Sequence, residues 1–175
     1  MILTSRGFAG FILVASITVL GSALLSQYWG GLAPCELCLL QRWPWRVAIA
    51  LGLLGVLAGE RVKLSWLALA ALIVFVTGSL FAFYHVGVEQ HWFAGPTACT
   101  VQTGGADSLE EMKRQIMGTQ AVLCDQVQWA LFGISLAGFN LLGSLGMAAA
   151  AIWAFARRHR PAAPVALPTA PRRPA

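Results

Sequence analysis

An all-α membrane protein, a four-transmembrane-helix bundle with one long outward loop, is what three features of this 175-residue chain predict. The first is composition: 58% of the residues are hydrophobic and 11% charged, against roughly 45–50% and about 25% in soluble domains. With a mean hydropathy of +0.70, the chain carries more apolar surface than a soluble core of this length can hide. The second is that the apolar residues fall into four runs, each near the ~20 residues that cross about 30 Å of hydrocarbon. The third is an uneven placement of Lys and Arg, which separates one side of those runs from the other.

The first span is expected over residues 7–29, "GFAGFILVASITVLGSALLSQYW". Its apolar stretch is longer than the roughly 7–15 residues of a signal-peptide core and no A-x-A site follows, so a retained helix is expected. The second, third and fourth spans are expected at about 43–59, 64–86 and 129–156. Unpaired backbone is costly in lipid, so runs of this length should be helical. Pro44 complicates the second span: it cannot donate to the carbonyl of Leu40 and it disfavours helix at Trp43. The helix should kink at Pro44 or begin there. Trp43, Trp45 and Trp92 read as an interfacial aromatic belt, and Arg46 as a snorkelling interface anchor. Asn140, Ser135 and the glycines of "FGISLAGFNLLG" read as helix-packing residues.

Orientation follows from the basic residues. Arg6, Arg61, Lys63, Arg157, Arg158, Arg160, Arg172 and Arg173 fall on one side, and Arg42, Arg46, Lys113 and Arg114 on the other. Eight against four places both termini in the cytoplasm and the loops at about 30–42 and 87–128 outside. The +5 net charge is thus a topology signal, and a nucleic-acid partner has no support. Residues 1–156 should form one redox-bearing membrane domain, and the Pro/Ala-rich residues 157–175 a disordered cytoplasmic tail.

The outer loop of about forty residues is too long for a simple connection. Within it, "ADSLEEMKRQIMG" sets Ser108 and Glu111 at capping-box spacing. Leu109, Met112 and Ile116 share one helical face, so a short amphipathic helix, on the membrane surface or packed within the loop, is expected. The surrounding "AGPTACTVQTGG" reads as flexible. His91 and His159 read as solvated.

All four cysteines lie in the two outward loops: Cys35 and Cys38 in the first, Cys99 and Cys124 in the second. That clustering on the oxidising side suggests two disulfides rather than apolar filler. A zinc site is disfavoured because 24 residues separate Cys99 from Cys124, whereas zinc knuckles come as short-spaced pairs; no metal is expected. A structural brace remains open. The C-x-x-C spacing, however, closes a short, readily reduced ring and favours redox chemistry. The pair stands at the start of the second span, where helix amides favour an anion. Arg42, four residues after Cys38, would lower a thiolate's pKa if the helix is continuous, or else anchor the chain at the interface. His85 ends the third span in "FYHVG", as an interface residue or as a donor to a ligand held between helices.

Four spans, "PCELC" before the second, "QR" soon after, a histidine ending the third and "LCDQVQWALFGISLAGFN" leading into the fourth together resemble the DsbB family over roughly residues 7–156. These are bacterial inner-membrane thiol:quinone oxidoreductases that reoxidise DsbA, a periplasmic thioredoxin-fold oxidase. The resemblance implies that Cys35 and Cys38 are the quinone-coupled pair, with Arg42 and His85 beside the quinone, ubiquinone or menaquinone. It also implies that Cys99 forms the mixed disulfide with a DsbA-like partner and that Cys124 resolves it toward Cys35. Electrons then leave through a Cys38 thiolate to the membrane quinone pool, with Arg42 stabilising the negative charge that develops. A C-x-x-C at the lipid boundary makes sense on these terms, because a dithiol arrives from water and a quinone from lipid. Two rivals are a quinone reductase of the vitamin K epoxide reductase class, whose C-x-x-C usually comes late in the chain, and a non-enzymatic disulfide-braced scaffold.

Overall fold

The computed structural model describes residues 4–96 and 123–158. Cys99, the amphipathic segment expected near residues 108–116 and most of the Pro-rich tail lie outside the described residues. Among the described residues the fold consists chiefly of four long helices: α1 (Ser5–Tyr28), α2 (Glu36–Ala58), α3 (Leu64–Glu89) and α4 (Leu136–Arg158). A 3₁₀ turn, Gly59–Arg61, joins α2 to α3. A two-residue-per-strand hairpin, β1 (Ala130–Leu131) and β2 (Ile134–Ser135), precedes α4.

Three helices, α1, α3 and α4, are long and apolar enough to cross a membrane. The fourth, α2, is as long as α4, but its first half carries Glu36, Gln41, Arg42 and Arg46. Small residues fill much of the bundle's interior around a few large ones, and many large apolar residues stand outside. Ala9, Ala48, Ala68, Ala71, Ala151 and Ala154 are fully buried, while Val14, Leu54, Ile73 and Leu80 stand exposed on the perimeter. That inversion suits lipid, where close backbone approach rather than water exclusion holds helices together. Gly52 shows it directly: a Cβ there would lie 2.8 Å from the backbone nitrogen of Leu13 on α1. Likewise Gly78 of α3 leaves room for Pro44 of α2, whose Cβ would be 3.2 Å from an added Cβ. Helix α1 packs chiefly on α2, α3 chiefly on α4, and α2 meets α3 between the two pairs.

Two expectations shift. Helix α2 starts at Glu36 and runs through Pro44 without a break, seven residues before the expected start of the second span. Cys35 supplies the reason: it is the N-cap, in extended backbone, and its sulfur accepts the N–H of Cys38. The fourth helix starts at Leu136, not near Trp129, because Phe132 (φ 52°) and Gly133 (φ 78°) make a tight turn between β1 and β2. Two successive positive φ values match a hairpin's twist and cannot be helical. Ser135 then caps α4, its Oγ accepting from the N–H of Gly138 at 3.1 Å.

At the end of the bundle where the chain enters, Thr4 caps α1 through the N–H of Gly7 at 3.0 Å. Glu60, in the turn between α2 and α3, accepts from the N–H groups of Ser5 and Arg6, both at 3.2 Å. A carboxylate there complements the positive end of the α1 dipole and ties α1 to the α2–α3 hairpin. The opposite end gathers the N-terminus of α2, the C-termini of α1 and α3 and the start of α4.

Candidate active site

A cavity of about 270 Å³ opens at that opposite end, between α1, α2, α4 and the end of α3. Its wall is largely apolar, with Val19, Leu20, Leu136 and Phe139 among its residues. Cys35, Cys38, Gln41, Arg42, His85, Glu89 and Asn140 are among its polar groups. Three sequence-predicted sites thus converge, the C-x-x-C, Arg42 and His85.

Helix capping positions the cysteines. With Cys35 at the N-cap, its sulfur takes the Cys38 N–H at 3.2 Å, and the first turn of α2 carries Cys38 back over it. The two sulfurs lie 2.9 Å apart, and both cysteines are free. On its other side Cys35 meets Nε2 of His85 at 3.6 Å. The Cys35 thiol is held far below its ordinary value of 9.0, at about 4. The S–H of Cys38 donates to it and does most of this, against burial that opposes the charge; His85 and the Cys38 backbone amide add to the lowering. The anionic sulfur therefore falls on Cys35, to which the Cys38 S–H donates, whereas the family resemblance implies a thiolate at Cys38.

Arg42 is buried, at 9% exposure, and donates from Nη1 to Oε1 of Gln27 on α1 at 2.7 Å. Among the described residues it makes no ion pair, so a cation with spare donors stands in the cavity wall. Arg46, by contrast, is exposed and lies over the Trp43 ring at 5.4 Å, as an interface anchor would. A planar, mostly apolar ring with carbonyl acceptors fits these walls: aliphatic and aromatic side chains for its faces, a buried guanidinium for an oxygen.

Cys124 is buried and disulfide-bonded. It shares a compact cluster with Cys35, Leu37 and Val88, with Cys38 packed against it.

Behind His85 runs a chain of hydrogen bonds that sequence reading did not anticipate. Nδ1 of His85 meets Nε2 of Gln41 at 2.6 Å, Oε1 of Gln41 accepts from Nδ2 of Asn140, and Oδ1 of Asn140 accepts from the indole N–H of Trp45 at 2.7 Å. Trp45 is therefore no belt residue. At 2% exposure it lies inside, its ring edge-on to Phe75 at 5.3 Å between centroids. Asn140 does more than pack helices. Glu89 approaches His85 Nε2 at 4.0 Å and accepts from the Ser135 hydroxyl. An acid four residues past a histidine at the end of an apolar run was the available signal for Glu89; placing the span's end at Val86 hides it.

Among the described residues, Cys35, Cys38 and His85 also bring three potential ligand atoms within 4.8 Å of one another. A cation there would need the Nε2 lone pair and a proton on Nδ1. Nδ1 already faces the amide nitrogen of Gln41, so the surroundings oppose that use.

Comparison with known proteins covers nearly the whole chain. The family described as disulfide bond formation protein DsbB matches residues 5–154. Disulfide bond formation protein B of Verminephrobacter eiseniae is 32% identical over 93% of this chain and 95% of its own length. The protein of the same name from Stutzerimonas stutzeri is 31% identical over 81% and 93%. Disulfide bond formation protein B 2 of Pseudomonas fluorescens is 28% identical over 88% and 86%. No solved structure matches the chain.

Proposed function

The chain belongs to the disulfide bond formation protein DsbB family and is a multi-pass membrane protein, and from that premise we propose that it is a thiol:quinone oxidoreductase of the bacterial inner membrane. It takes electrons from a periplasmic DsbA-like thioredoxin-fold dithiol and passes them to the quinone pool. On this reading α2 is a fourth crossing, both termini are cytoplasmic and the cysteine-bearing segments are periplasmic. The observation that carries the proposal is the meeting, at one cavity, of a free C-x-x-C pair, a buried arginine and a histidine, with disulfide-bonded Cys124 in the same buried cluster as Cys35.

The chemistry runs in balanced exchanges. The partner's thiolate attacks Cys99 of a Cys99–Cys124 disulfide and frees Cys124. Cys124 attacks Cys35 of an oxidised Cys35–Cys38 pair, and Cys38 leaves. The partner's second thiol then closes the partner's own disulfide and releases Cys99. Cys99 next attacks Cys124, restoring their disulfide and expelling Cys35. A low-pKa thiol leaves fastest, and Cys35 has the lowered pKa. The Cys35 thiolate and Cys38 thiol that remain hold two electrons. The Cys35 sulfur then closes onto Cys38, so that the electrons leave by way of Cys38, next to the cavity. A quinone held there would supply the two-electron, two-proton sink that this step needs. Arg42 would hold and orient its oxygen, and the apolar wall would exclude water.

Trapping tests the order. With the resolving thiol removed, exchange should stop at the mixed disulfide. Cys124→Ala should accumulate a reductant-sensitive adduct between Cys99 and the thioredoxin-fold protein, identified by peptide mapping. A partner found on Cys35 would reverse the route.

A further inference from the structure

The bond chain behind His85 has a fixed direction, and that direction follows from donor and acceptor chemistry alone. An indole N–H only donates, so the atom of Asn140 facing Trp45 must be the oxygen, 2.7 Å away. The Asn140 nitrogen is then the atom that faces Gln41, and only the Gln41 oxygen can receive it. The Gln41 nitrogen is left to face Nδ1 of His85, at 2.6 Å, and it can only donate. Nδ1 must be the lone-pair nitrogen. The proton of the neutral imidazole is thereby assigned to Nε2, the atom that meets the Cys35 sulfur at 3.6 Å. Reversing any amide would set two donors against each other somewhere in a chain that is largely buried, since Trp45, Gln41 and His85 are 2%, 5% and 3% exposed.

We propose that Trp45, Asn140 and Gln41 are positioning residues which lock His85 in its Nε2–H tautomer, so that it presents a hydrogen-bond donor to the Cys35 sulfur. The lock spans three helices, with Trp45 and Gln41 on α2, Asn140 on α4 and His85 on α3. The donor is therefore in place whenever the bundle is assembled. No proton needs to move as Cys35 is expelled: the N–H is already aimed at the sulfur that gains charge, in the manner of preorganised donors elsewhere. What the locked donor does for turnover rests on the thiol:quinone reading; the tautomer itself does not.

The test uses the full-length protein in detergent, reduced and labelled with ¹⁵N-histidine, and reads the two ring nitrogens of His85. The chain has three histidines, so a His85→Ala spectrum assigns the signals. Wild type should show a protonated Nε2 and a lone-pair Nδ1. In Asn140→Asp both side-chain oxygens accept, so Gln41 must turn its nitrogen toward them and its oxygen toward Nδ1, which should then carry a proton. Trp45→Phe removes the fixed donor without adding charge. It should raise the Nδ1–H share ~5-fold and move the midpoint of the Cys35 alkylation–pH profile up by a similar factor, ~0.7 pH unit, about what one neutral hydrogen bond is worth. If loss of Trp45 packing against Phe75 prevents folding, Gln41→Met reads the same two quantities. A wild-type Nδ1 that carries the proton overturns the proposal. So does an Asn140→Asp spectrum in which Nδ1 stays bare, or a neutral variant in which tautomer and Cys35 alkylation both match wild type. Quinone turnover enters none of these readings, so failure of the quinone assignment would show separately.

Discussion

Cys35 does two jobs with one sulfur: it caps α2 and it carries the negative charge of the dithiol. Because the folded value, about 4, lies below the ordinary 9.0, the unfolded chain binds the extra proton between those two values. The reduced fold therefore gains stability as pH rises from about 4 toward 9 and loses it as pH falls back through about 4. The same thiolate should keep alkylation of Cys35 nearly flat between about pH 6 and 8, where an ordinary thiol speeds up about tenfold per pH unit. Mass spectrometry of iodoacetamide-treated protein checks this; a tenfold rise per unit would place the charge elsewhere. Arg42 makes a second prediction at this scale. A hydrogen bond from a charged donor is worth roughly 1.5–3 kcal/mol, so Arg42→Ala should raise the apparent KM for quinone about tenfold or more. Disulfide exchange among the cysteines should persist in that variant. Unchanged quinone kinetics would make Arg42 a bond to Gln27 and nothing further.

At the scale of the elements, the four apolar runs are legible because length and hydropathy suffice to find them, yet their ends at the site are not. Pro44 argues for a helix start at residue 43 or 44, while the cap that governs α2 is a cysteine at residue 35. Starting the helix late leaves the inward and outward faces of "WPW" unassigned. Trp43 and Trp45 are two positions apart, about 200° around a helix, so one faces out at 57% exposure and the other in at 2%. The same displacement hides Gln41 among presumed loop residues. Cys35, Cys38, Arg42 and His85 are legible because reactive and charged types are conspicuous in apolar sequence. Glu89, Asn140 and Trp45 are not, since each has an ordinary alternative as loop, packing or interface residue. Packing offers its own test. An added Cβ at Gly52 meets the α1 backbone at 2.8 Å, whereas one at Gly21 has nothing within 4 Å. Gly52→Ala should destabilise by about 1–3 kcal/mol through overpacking, read as a lower thermal midpoint in detergent, with Gly21→Ala at or above wild type. Equal midpoints would mean that α1 and α2 are not held in close contact.

For the whole molecule, the two ends of the bundle differ in kind. One end is closed by Thr4 and Glu60 capping α1; the other gathers the cavity, the thiols and the buried polar chain. On the proposed topology, which rests on the eight-to-four division of basic residues, the first end faces the cytoplasm. Alkaline phosphatase fused after Gly105 should then be active and a fusion after Arg61 inactive; the reverse pattern would invert the molecule and remove the periplasmic thiol partner.

If dithiol and quinone are coupled through this one site, absorbance reads that coupling directly. Purified protein supplied with quinone and a reduced thioredoxin-fold protein should lose one oxidised quinone for each partner disulfide formed. Cys38→Ser should abolish the quinone signal while still allowing at most a limited turnover of the partner. Partner oxidation that proceeds with the quinone absorbance unchanged, or quinone loss undiminished in Cys38→Ser, would contradict the account.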